Sequence, residues 1–216
     1  GKTVTVDSIT LADGNNGGLA SNYSVTPGQT TTANITAKAL TVSGISASSK
    51  TYDGSTSSTL DTSSVLYNGL ISGDTFTGSY TGAFSNANVA TGKTVTITSS
   101  YTGADVSNYT VTDQSSTTAD ISAKALTATA SASNKTYDGS TTASTTLTFT
   151  GLVGSETLGQ TVGSTFDNKN VGSNKTVTVN SITLADGTGL AANYSISAGQ
   201  TTTANITAKS LTVSGI

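Results

Sequence analysis

The chain has 216 residues, of which 10% are charged, with a formal net charge of −3 and no cysteine, methionine, tryptophan or histidine. All nine basic residues are lysines. This composition excludes metal centres built on His or Cys, Ser-His and Cys-His nucleophiles, any disulfide framework, and a basic surface able to track nucleic-acid phosphates.

From Lys2 the sequence reads KTVTVDSITLADG: Val4 and Val6 alternate with threonines, then Ile9 and Leu11 alternate in shifted phase. Two short strands, or one strand with a bulge at Asp7 and Ser8, fit that change, and the β-branched residues favour strand over helix. Asp13-Gly14 marks a turn. The following GLASNYSV leads through Asn22 into Tyr23, with counterparts at Tyr109 and Tyr194. A short loop of small residues entering a strand through Tyr matches the tyrosine corner of immunoglobulin-type sandwiches, in which the phenol ties the turn to nearby backbone. The rival reading of Tyr23, Tyr109 and Tyr194 is a plain core aromatic at a strand start.

TTTANITAK then places Ala33, Ile35 and Ala37 on one face of a half-buried strand. Only Lys38-Ala39 separates it from the next alternating run, Leu40-Thr41-Val42, so strand feeds into strand without a Pro, Gly or Ser spacer and a stiff connection is expected. The stretch from Asn34, NITAKALTVSGISASSKTYDGST, returns from Asp120 as DISAKALTATASASNKTYDGST and begins again at Asn205. Lys38, Lys124 and Lys209 mark equivalent points, 86 and 85 residues apart, so the chain is a tandem array. The phase predicts the C-terminal half of a repeat at 1–38, full repeats at 39–124 and 125–209, and the first strand of another at 210–216.

Within each full repeat, Tyr52-Asp53-Gly54 and Tyr137-Asp138-Gly139 supply a turn, Gly being free to take positive φ and Asp able to cap its own backbone, with each Tyr expected over the end of the core. The repeats then diverge, yet both place two strands around a Ser-Gly-Asp or Gly-Ser-Glu turn, and converge again at Phe84 and Phe166. Seven or so short strands per repeat, and no helical pattern of two turns, predict an all-β chain of tandem immunoglobulin-like β-sandwich repeats of about 85 residues joined end to end. A β-grasp-like repeat is the fold alternative.

The recurring blocks are K-T-Y-D-G at Lys50 and Lys135, K-T-V-T-[VI] at Lys2, Lys93 and Lys175, N-Y-[ST], and [TS]-T-A-[ND]-I-[TS]-A-K-[AS]-L. Over essentially the whole chain they resemble YDG-type repeats, related to MBG-type repeats, of filamentous-haemagglutinin-like bacterial surface adhesins. The resemblance implies secretion and a place in an adhesin stalk. It brings no catalytic residue, no cofactor and no agreed ligand.

Other chemistries read more weakly. The recurring carboxylates sit beside glycines, where turn chemistry explains them, so no enzyme is expected. Asp53 and Asp138 are the calcium candidates, being loop oxygen donors, although no EF-hand or nonapeptide pattern appears. Lys135, Asn170 and Asp138, with Lys50, Asn88 and Asp53, form the candidate sets for a Lys-Asn isopeptide crosslink. Abundant threonine suggests ice binding only on a solenoid of much shorter period, and the sequons at Asn22, Asn108, Asn193 and Asn205 arise readily in so Asn- and Thr-rich a chain. No apolar run is long enough for a membrane span.

The expected role is therefore a structural stalk or filament-forming region of a secreted bacterial adhesin or matrix protein. A ligand-binding adhesive module for host glycan or protein is the alternative. Its partners are the neighbouring repeats of the same protein. Residues 1–38 on their own would expose Val4, Val6, Ile9, Leu11 and a bare sheet edge, so either upstream sequence completes them or another chain does so by strand complementation, head to tail.

Overall fold

The computed structural model describes residues 1–215. Every regular element among them is a β-strand, apart from three single turns of 3-10 helix. The repeats are β-sandwich-like, and the helix that a β-grasp needs does not occur among the described residues. The chain divides into two compact units.

The first unit comprises Gly1–Ser43, Leu66–Gly78 and Tyr101–Asp113. In it Lys38–Ser43 lies between Tyr109–Thr112, paired parallel, and Leu66–Asn68, paired antiparallel. Leu40 and Val42 alternate inward and are fully buried, as the period of two requires. Beside them Phe76 meets the rings of Tyr67, Tyr101 and Tyr109 at centroid distances of 5.3, 5.0 and 5.9 Å. Lys2–Thr5 and Thr30–Ala33 form an antiparallel ribbon with every residue exposed. The half-buried strand expected through Ile35 and Ala37 is thus absent: Ile35 is 83% exposed, because residues 1–38 contain no counterpart of the Tyr and Phe that cover this face in a full repeat.

The second unit comprises Gly44–Val65, Ser79–Ser100 and Gln114–Ile216. Its larger sheet runs in the order Lys50–Thr51, Ser116–Ser122, Ala90–Thr102, Thr77–Phe84, Ser57–Ser58. A four-stranded sheet, Lys135–Thr136, Thr201–Thr207, Gly172–Asp186, Leu158–Phe166, repeats its order. In both, a short strand just before the Tyr-Asp-Gly turn adds parallel to the last strand of its repeat, Lys50 opposite Ile121 and Lys135 opposite Ile206. That pairing swings Tyr52 over Ile121, Phe84 and Val95, and Tyr137 over Ile206, Phe166 and Val177.

In Gly172–Asp186 the phase change of the V-x-V-x-S-I-x-L blocks is a bulge inside one long strand. Gly163 pairs with Ser181 and Ser164 with Val179, which leaves Asn180, the counterpart of Asp7, as the extra residue. In the first block the strand ends at Thr5, and neither the bulge at Asp7 and Ser8 nor a second strand through Ile9 and Leu11 forms, that segment having no neighbouring strand to pair with among the described residues. A second irregularity falls at Gly92 (φ 59°) and at Asn174 (φ 53°), where each backbone N–H donates to the side chain of Asp120 or Asn205. Gly and Asn are the residues that tolerate this left-handed conformation. The strand expected at 210–216 pairs with nothing among the described residues, and Leu211 and Val213 are 88% and 83% exposed. Its counterparts pair parallel with the strand after Asn-Tyr of their own repeat. Ile216 lies outside the described residues.

Candidate functional site: the joint between repeats

Ser116–Ser122 ends the first full repeat and Lys124–Ala125 leads into the second, and only Ala123 lies between them. On either side of this joint, within the second unit, one continuous core is built from both repeats. Tyr52, Phe84, Val95, Ala119 and Ile121 come from the first full repeat, and Leu126 and Tyr194 from the second.

The Tyr-Asp-Gly loop is the piece that crosses. Lys50 donates to the Asp53 carboxylate at 2.8 Å and to the Ser55 carbonyl at 2.8 Å, while Asp53 also accepts from the Ser55 N–H at 2.8 Å. These bonds hold the loop in a fixed turn, with the lysine ammonium 5.5 Å from the centre of the Phe84 ring. The Lys50 ammonium, followed by the Ser55 N–H, lowers the Asp53 pKa to about 2. The same set recurs at Lys135, Asp138 and Ser140, where the Ser140 N–H is the main cause and Asp138 is again lowered to about 2. Each candidate calcium carboxylate is therefore engaged by its own lysine. Lys50 bonds Asp53 and Ser55 whereas Asn88 bonds Asn193, so the amine and amide of the proposed isopeptide pair are engaged with different groups.

So fixed, Tyr52 projects onto the second full repeat. Its ring meets that of Tyr194 edge to face at 5.4 Å and 80°. Its hydroxyl donates to Glu156 Oε1 at 2.7 Å, and Tyr194 donates to Oε2 of the same carboxylate at 2.6 Å. One carboxylate thus clamps two phenols, one from each repeat. The hydrogen bond to Glu156, and then burial, push the Tyr52 phenol up to about 12. Burial, and then Glu156, raise Tyr194. Gly54, at φ 77°, lies so close to the second repeat that a Cβ there would come within 2.9 Å of the Val153 side chain. Asn193 completes the joint: only 2% exposed, it accepts from the Val89 N–H at 2.9 Å and donates to Asn88 Oδ1 at 3.1 Å. A buried asparagine with both ends of its amide satisfied specifies a register rather than merely adding contact.

Tyr109 and Tyr194 do tie backbone through their hydroxyls, which accept from the N–H of Ile71 at 3.0 Å and of Val153 at 2.9 Å. The tie spans 38 and 41 residues, so it is a brace across the repeat rather than a corner closing on nearby backbone. Tyr109 also donates to Asp74, the counterpart of Glu156. Tyr23 fits neither reading. It is 70% exposed, because the loop that would brace it belongs to the front half of a repeat, which residues 1–38 do not contain. Asp13 and Asp186 cap turns, accepting from the N–H of Ala20 and Ala191 at 2.6 and 2.7 Å.

Sequence reasoning placed Tyr52 over the end of the core, Asp53-Gly54 in a turn and Tyr194 at a corner or strand start, but missed Glu156 and Asn193 as joint residues. The signal was present: the divergent segments keep an acid at the same point, Asp74 and Glu156, and every Tyr of the N-Y block follows Asn. No group of three or more Asp, Glu, His or Cys able to hold a metal ion occurs among the described residues. The sequence model of the YDG domain matches residues 36–119 and again 122–204. No curated protein and no solved structure matches the chain.

Proposed function

The chain belongs to the YDG-domain family, with two such domains in tandem, and from that premise we propose that it is the spacer region of a secreted bacterial surface or matrix protein, an adhesin stalk of the filamentous-haemagglutinin-like kind. Its task is mechanical: strand hydrogen bonding carries load, and the number of repeats sets the reach. The observation that carries this reading is the joint itself, where one intervening residue and a shared core leave few free torsions. A binding array would gain from repeats that swing independently, whereas a spacer loses reach if they do. Absence of cysteine suits a long chain that crosses membranes unfolded and works outside the cell, at the surface or in a biofilm matrix. Threonine and serine provide solubility in place of charge.

Length scaling tests the reading. Chains of two, four and six repeats are compared by small-angle X-ray scattering, and the maximum dimension is expected to rise by the same increment per repeat. Growth with the square root of repeat number would mean freely jointed units and would remove the spacer role.

A further inference from the structure

Cysteine, methionine, tryptophan and histidine, the side chains that compete with tyrosine for an oxidant, are absent from the chain, so its eight tyrosines take the loss of an electron. At the joint two of them share one base. Tyr52 and Tyr194 are each 5% exposed, their rings meet edge to face at 5.4 Å, and their hydroxyls donate to the two oxygens of the Glu156 carboxylate at 2.7 and 2.6 Å. The hydroxyl ends of both rings, and with them the ring carbons ortho to each hydroxyl, converge on that carboxylate. A phenol that loses an electron becomes a strong acid, and its oxidation runs easily only where a base is placed to take the proton. Glu156 lies within hydrogen-bond distance of both hydroxyls and is itself half-buried, which leaves those protons a path to water. Tyr137, the counterpart of Tyr52, has its ring on the core of its own repeat instead.

We propose that Tyr52 and Tyr194 are a site of oxidative cross-linking, where a one-electron oxidant couples the two phenols into a dityrosine that ties one repeat covalently to the next. Two equivalents of the oxidant each take one electron from one phenol and are reduced by it. Each hydroxyl proton passes in turn to Glu156 and on to water, which leaves two neutral phenoxyl radicals. Their unpaired electrons reach the ortho carbons, and one carbon–carbon bond forms between an ortho carbon of each ring. The hydrogen on each of those carbons then moves to the oxygen of its own ring, restoring two phenols, so the product lacks two electrons and two protons relative to the starting pair. The 80° between the ring planes closes by rotation about Cβ–Cγ, a broad torsion in tyrosine. This inference concerns the chemistry of the joint and stands whether or not the stalk reading holds.

The full chain, dilute enough that copies rarely meet, is oxidised with photogenerated tris(bipyridyl)ruthenium(III), cleaved after lysine and mapped by mass spectrometry. Tyr52 falls in fragment 51–93 and Tyr194 in fragment 176–209. These two are expected to appear joined, two hydrogens lighter than their sum, as the main cross-link of a product that still runs as a single chain. Tyr52→Phe keeps the ring and its packing and is expected to abolish the joined pair, whereas Tyr137→Phe leaves its yield unchanged. Glu156→Gln keeps an acceptor oxygen but removes the base, and is expected to lower the yield by on the order of tenfold or more, as loss of a positioned base implies. No joined pair, a joined pair formed only between copies, or a yield indifferent to Tyr52→Phe or to Glu156→Gln overturns the proposal. Indifference to Tyr52→Phe would place the coupling on Tyr67 or Tyr80, which share fragment 51–93.

Discussion

Two faces built from the same residues have different surroundings. On the second full repeat, Tyr194, Asn193 and Glu156 are covered by the Tyr52 loop, and Asn193 is 2% exposed. On the first, Tyr109, Asn108 and Asp74 border an open cleft of about 420 Å³, Asn108 is exposed and Ile71, the counterpart of Val153, is 50% exposed. Both faces brace their own Tyr through the same backbone N–H and acid. The brace is therefore a property of one repeat, and the burial of Asn193 is made by its neighbour. Tyr52 and Tyr137 show the contrast from the other side, the first 5% exposed and the second half-buried on the core of its own repeat.

Breaking the contrast at its centre has the largest expected effect. Tyr52→Ala should lower unfolding stability by about 3–5 kcal/mol, as for other buried aromatic truncations, and Tyr137→Ala by about half as much. Equal losses would show that Tyr52 acts only within its own repeat. Raising the pH should loosen the same contact reversibly. The Tyr52 phenol titrates near 12 in the folded chain against about 10 unfolded, so the folded state holds the proton longer. Its contribution, about 2–3 kcal/mol for a shift of this size, is fully present below pH 10 and is lost as pH rises through 12. Stability measured against pH should fall across that window, and less steeply in Tyr52→Phe.

A smaller loss is expected from Asn193→Ala, which removes the hydrogen bond to the part-buried Val89 N–H at a cost of about 1 kcal/mol, whereas Asn108→Ala on the uncovered face should be nearly neutral. Thermal melts of the pair give the difference. The smallest contrast is between Gly54→Ala and Gly139→Ala. Both place a Cβ at positive φ, at a cost of about 1–2 kcal/mol, but only at Gly54 does the new atom meet the next repeat. The excess loss at Gly54 measures the closeness of the joint.

Much of the fold was legible because alternation of β-branched and polar residues is a local signal. The V-T-V runs gave strands, the phase slip after the second valine appears as a bulge at Asn180 though not at Asp7, and Asp-Gly marked turns that the structure holds at Asp53 and Asp138 with an Asx bond and a lysine. Partners were harder to read. Tyr52 meets Glu156 across 104 residues, in a segment where the two repeats otherwise diverge, and nothing local distinguishes that glutamate from a solvated turn residue. The Tyr109 and Tyr194 hydroxyls were assigned to nearby backbone although they reach about 40 residues away, for the same reason. Residues 30–38 and 210–215 carry the right strand pattern, yet all of them are exposed, because alternation is a local signal whereas burial needs a partner surface.

Equilibrium urea unfolding of this chain, followed by far-ultraviolet circular dichroism, tests most directly whether the Tyr-Asp-Gly loop welds one repeat to the next. A fused core predicts that both full repeats unfold in one transition, with a slope scaling with the surface of both, and that Tyr52→Ala splits it into two. Two separate transitions in the unsubstituted chain, unmoved by Tyr52→Ala, would contradict the account.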